Sequence, residues 1–255
     1  MPNVDFLFID QPFPVALCAV VVSGVLRGYS GFGAALIIIP IFSNLYSPLT
    51  ALSFHVLVEM PTLLVLLPTA VKTYDKKLVN FSLLSLVLAV PLGFYFISLF
   101  DTVFLRLFIG VIVVVSVFLI WRGVPLRFSK NNIFFQLACG VSGFCQGLVG
   151  LGGPPVVTTL ISRQDDNITT RANIIVMMTV LLISSLCSQL YVGVITWFSV
   201  ALALKLFLLY VASNQIGKWL FFRYATDSYR KVTLLCLVMI GMHSIFSAID
   251  ALLIE

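Results

Sequence analysis

The sequence predicts an all-α integral membrane protein of about eight membrane segments, arranged as two inverted repeats over residues 1–124 and 125–255. Three observations carry this. Hydrophobic residues make up 60% of the chain and charged residues 10%, far from the roughly one-quarter charge of soluble domains. Apolar runs long enough for a span of ~20 residues recur throughout, and no stretch is long and polar enough for a soluble domain. The third is an internal echo. Ser142, Gly143, Gly147, Gly150 and Gly152 stand 119 residues after Ser23, Gly24, Gly28, Gly31 and Gly33. Matches at one offset, mostly of glycine, point to a duplication.

Taken in order, the membrane segments fall at about 13–46, 50–71, 78–99, 103–122, 131–162, 170–190, 196–217 and 231–250. Ahead of them, Met1 to Gln11 holds Asp5 and Asp10 but no Lys or Arg, so the basic start of a secretory signal is missing. Two segments, 13–46 and 131–162, are too long for one span and carry the glycine stretches at their centres. Each is either one kinked helix or a hairpin of two half-helices. A half of ~16 residues reaches ~24 Å, short of a ~30 Å hydrocarbon core.

Charge placement separates these two readings. Basic residues gather at Lys72, Lys76 and Lys77, at Arg122, Arg127 and Lys130, and at Lys218, Arg223, Arg230 and Lys231. The positive-inside rule makes these three loops cytoplasmic. The N-terminus, the Asp101 turn, the Tyr191–Thr196 turn and the end with Asp250 and Glu255 have no basic side chain. From an outside N-terminus to an inside Lys72 loop the chain crosses an odd number of times. A hairpin at 13–46 followed by one span meets that requirement, whereas a kinked span does not. The same parity at 131–162 gives each repeat one hairpin and three spans. Three is odd, so the repeats are inverted, as in many secondary transporters.

A hairpin explains the glycines. Irregular backbone at membrane depth survives only where protein or a water-filled cavity satisfies it. Gly31, Gly33, Gly150, Gly152 and Gly153 remove side chains so that backbone amides can face inward, and the returning halves begin near Ala34 and Pro154. Two helix N-termini meeting near the midplane favour an anion. Close helix packing through small residues is the plainer use of the same glycines.

Gly31-Phe32-Gly33-Ala34-Ala35, with Pro40 beyond, resembles the first glycine signature of the TauE/SafE sulfite-exporter permeases, and Gly150-Leu151-Gly152-Gly153-Pro154-Pro155 resembles its second copy. The resemblance covers essentially the whole chain. Ala34 and Ala35 replace glycines of the first copy, and Thr159 stands where the second would have its late proline. It implies a carrier, in export direction, of small anions such as sulfite or sulfonates across a bacterial inner membrane. An anion channel and an uptake permease for another small anion are the alternatives.

Ionisable residues inside the membrane segments are few, and each is a candidate for function. Arg27 lies close to the first glycine tip, and its counterpart at the 119-residue offset is Gln146. The candidate anion site is Arg27, Gly31, Gly33, Gln146, Gly150, Gly152 and Gly153. Arg27 needs a partner or water at that depth; its own segment has no acidic residue, and the substrate can be that partner. His55 and Glu59, spaced i, i+4, share a helix face and are the proton-coupling candidates. The cysteines form no C-x-x-C pair, and neither a metal site nor a cofactor is expected. No H-E-x-x-H or G-x-S-x-G constellation suggests an enzyme. The expected partners are the anion and the bilayer, with no nucleic acid; a homo-oligomer is left open.

Overall fold

The computed structural model describes residues 13–30, 33–97, 99–122, 131–163 and 166–223. Among them the chain is all helical. The 231–250 segment and most of the Arg122–Lys130 loop lie outside the described residues, as do Gly31 and Phe32.

Both long segments are broken, and the breaks are off-centre. The first divides into α1 (Phe13–Ser30) and α2 (Ala34–Leu45), the second into α6 (Asn132–Val149) and α7 (Gly153–Ser162). At 18 residues, α1 and α6 are each ~27 Å long. With 12 and 10 residues, α2 and α7 reach only ~18 Å and ~15 Å. The position of each break follows from its glycines. Gly33 precedes α2 at φ 94° and Gly150 ends α6 at φ 74°, a left-handed conformation that any Cβ would strain. Beyond the second break Pro154 and Pro155 occupy the first turn of α7, where a missing N–H is harmless.

The remaining helices are α3 (Pro48–Ala70), α4 (Lys76–Ile97), α5 (Thr102–Arg122), α8 (Asn167–Val192) and α9 (Trp197–Arg223). Side-chain caps set the starts of α3, α4 and α8: Ser47 accepts from the Thr50 amide at 3.1 Å, Asp75 from Leu78 at 3.0 Å and Asp166 from Ile168 at 3.1 Å. The Asp166 cap carries α8 a few residues past the expected 170–190 span at its start, and Gly193 at φ 75° ends it. Five described helices are long and apolar enough to cross a membrane: α3, α4, α6 and most of α8 and α9. The chain is a multi-pass membrane protein. Large apolar side chains such as Val65, Leu88 and Leu208 stay exposed on its outside, as lipid contact requires. Exposed Tyr191 and Trp197 flank the α8–α9 turn, where an aromatic belt would lie.

Two helix pairs are packed backbone to backbone. On α6, Gly143 and Gly147 face Leu86 and Val90 of α4; on α1, Gly24 and Gly28 face Tyr210 and Asn214 of α9. A Cβ on Gly147 or Gly28 would overlap the carbonyl oxygen of the facing helix. So these four glycines serve close packing, whereas Gly33 and Gly150 serve the breaks. Helix α3 lies against α8, with α2 packed on α3 and α7 on α8.

Candidate functional site

Where the two breaks meet α3 and α8 there is a cavity of ≈ 30 Å³, room for about two waters. Arg27, Gly33, His55, Glu59, Gln146, Gly150 and Gly153 all line it, so most of the candidates named from sequence share one space. Gly152 is not on the wall, and Gly31 falls outside the described residues. The rest of the wall is apolar, with Leu63, Met178 and Leu182 prominent.

Arg27 sits in the last turn of α1, where the helix dipole favours a cation. Its Nε donates to Glu59 Oε1 at 2.9 Å, and His55 Nε2 lies 3.2 Å from Glu59 Oε2. Each carboxylate oxygen therefore has its own donor. The acidic partner that its own segment lacks comes from α3. The three residues are 6%, 3% and 7% exposed, and a charge that deep requires such a partner. Tyr210 of α9, fully buried, interacts electrostatically with both Glu59 and Arg27, although its hydroxyl forms no well-aligned hydrogen bond. Nothing in the apolar α9 sequence pointed to Tyr210 beforehand.

Glu59 stands next to a helix irregularity. Pro61 lies in the interior of α3 and withholds one backbone bond, while the Thr62 hydroxyl donates to the Glu59 carbonyl at 2.7 Å. The carboxylate itself is not spent on freed backbone but turns to Arg27 and His55.

The second break is held by side chains of α6. Gln146 Oε1 accepts from the Gly152 amide at 3.1 Å, and the Ser142 hydroxyl donates to the Gly152 carbonyl. Both ends of that glycine are thus tied down. The Gly152 amide, expected to face an anion, is already occupied. The same bond fixes the orientation of the Gln146 amide, because only its oxygen can accept from an N–H. Gln146 Nε2 is left buried with no hydrogen-bond partner, on a side chain that lines the cavity. His55 Nδ1 is likewise buried without a partner.

The cavity wall repeats the 119-residue offset beyond the glycine motif. Arg27 and Gln146, Ala35 and Pro154, Glu59 and Met178, and Leu63 and Leu182 are all lining residues separated by that interval. Extending the offset into α3 and α8 would have singled out Met178 and Leu182 from sequence; with no glycine to mark it, that register passed unnoticed.

No curated protein and no solved structure matches the chain. The model of one family, sulfite exporter TauE/SafE, matches residues 15–244. With that match across nearly the whole length of a multi-pass helical membrane protein, the chain belongs to the TauE/SafE sulfite-exporter family of membrane transporters.

Proposed function

We propose that this protein is a secondary transporter that exports small sulfur-containing or organic anions across a bacterial inner membrane, binding them between the two helix breaks. The observation that carries this reading is the buried Arg27 guanidinium sharing a cavity with the unpartnered Gln146 Nε2. A guanidinium carries five donors in a planar fork, a geometry that matches the oxygens of an oxyanion. The orphaned amide costs roughly 1–3 kcal/mol while empty, a cost that an anion oxygen relieves on binding.

Two inverted repeats, 1–124 and 125–255, account for the packing. The first helix of each broken segment lies on the second full helix of the other half: α1 on α9 and α6 on α4. The corresponding first full helices, α3 and α8, then pack on each other across the pseudo-twofold axis. A carrier is favoured over a channel because the site is closed off, with its charged groups nine-tenths buried.

Counterflow in proteoliposomes tests the site. Labelled methanesulfonate should exchange in the wild type and fail to exchange in Gly152→Leu, with membrane insertion unchanged. A Cβ on Gly152 would press on Gln146 Cβ and Ser142 O at 2.6 Å, so leucine there displaces the amide that faces the cavity. Wild-type exchange in Gly152→Leu would remove the breaks from the site. Topology is checked separately. A reporter active only in the cytoplasm should be silent after Glu255 and active within the Lys72–Lys77 loop; a signal after Glu255 would end the hairpin parity.

A further inference from the structure

We propose that Glu59 is the resident counter-ion of the empty site, and that each arriving anion displaces it from Arg27 and places one proton on it. This rests on the anion site proposed above and adds the coupling.

The argument is one of charge count in a closed space. With the site empty, Arg27 and Glu59 cancel, 2.9 Å apart and nearly inaccessible. Among the described residues, charged and titratable groups reach the Glu59 carboxylate from three helices. From α1 it meets Arg27, from α3 His55 and from α9 Tyr210. The cavity walls given by α2, α6, α7 and α8 carry no ionisable side chain. A monovalent anion entering this space leaves one net negative charge with no second cation to meet it. An uncompensated buried charge is strongly unfavourable, and a proton from solution restores neutrality.

The geometry also supplies the route. Oε1 gives up its hydrogen bond from Arg27 Nε, and that donor turns to the substrate oxygen. His55 takes a proton at its unpartnered Nδ1 and passes its Nε2 proton to Glu59 Oε2, 3.2 Å away. The imidazole ends neutral, in its other tautomer, and the carboxylate ends as the acid. No covalent bond other than N–H and O–H is made or broken. Anion and proton thus occupy the site together, and both leave together when Glu59 returns to Arg27.

The probe is methanesulfonate, whose own charge is constant near neutrality. Calorimetric titration of the purified protein in two buffers of different ionisation enthalpy gives the protons taken up per anion bound. We expect about one in the wild type, with an affinity that falls about tenfold per pH unit across the range where uptake is complete. In Glu59→Gln uptake should fall to near zero and affinity should lose its pH dependence. In vesicles a pH gradient should then cease to drive flux. Binding to the wild type without proton uptake would overturn the coupling alone, with Arg27 holding both carboxylate and substrate at once. Undiminished uptake in Glu59→Gln would do the same by moving the proton elsewhere. Methanesulfonate that fails to bind the wild type, or binds Arg27→Ala with wild-type affinity, would overturn the anion site itself.

Discussion

Arg27→Ala should lose substrate affinity by about ten- to a hundredfold or more, since a hydrogen bond between charged groups contributes about 1.5–3 kcal/mol. It should also lose stability. Arg27 and Glu59 are 6% and 9% exposed at the side chain, and deleting one partner of a buried pair typically costs about 3–5 kcal/mol. The two losses have different causes, and a double-mutant cycle separates them. In Arg27→Ala combined with Glu59→Gln no carboxylate is stranded, so thermal stability in detergent should recover most of the deficit. Binding should not recover, because the guanidinium that meets the anion is still absent. Arg27→Lys should keep the pair with Glu59 but regain only part of the affinity, an ammonium having no bidentate fork. If affinity returned along with stability in the double variant, Arg27 would be a structural ion-pair partner and no part of the substrate site.

How much of this was legible beforehand follows from where each signal is stored. The glycine echo is local in sequence, and it located both helix breaks, at Gly33 and Gly150, to within a few residues. It could not divide the uses of the glycines. Gly28 and Gly147 belong to the same motif as Gly33 and Gly150, yet they serve helix contact with α9 and α4, and only the facing backbone reveals that. The pair of His55 and Glu59 was readable from i, i+4 spacing, since one helix fixes it. The link from Glu59 to Arg27 was not, because it depends on how α1 and α3 dock. Within its own segment Arg27 shows no carboxylate, and only the docking of α3 supplies one. Gln146 shows the same limit. The offset from Arg27 marked its position, but the division of labour between Oε1 and Nε2 arises from the tertiary bond to Gly152.

Gly147→Ala should destabilise the protein, while Gly140→Ala on the same helix should leave it as stable or slightly more so. Intrinsic propensity favours alanine over glycine in a helix by about 1 kcal/mol, so that term is equal at both sites. What differs is the space beyond the Cα. A Cβ at Gly140 meets nothing within 4 Å. At Gly147 it overlaps the Val90 carbonyl oxygen and comes within 2.8 Å of the Phe94 amide nitrogen. These are backbone atoms of α4 with no rotamer to move, so the helices must separate. Overpacking of this kind costs about 1–3 kcal/mol and occasionally more, enough to outweigh the propensity gain. Gly28→Ala should behave alike, because its Cβ overlaps the Asn214 carbonyl oxygen of α9. Gln146 is the neighbour of Gly147, and a shift of α6 away from α4 carries its amide with it. Methanesulfonate binding should therefore weaken in Gly147→Ala and remain at the wild-type level in Gly140→Ala. Thermal unfolding in detergent and calorimetric binding read both quantities. Equal melting temperatures for Gly147→Ala and Gly140→Ala would mean that the α4–α6 contact yields easily and cannot be what holds Gln146 at the cavity.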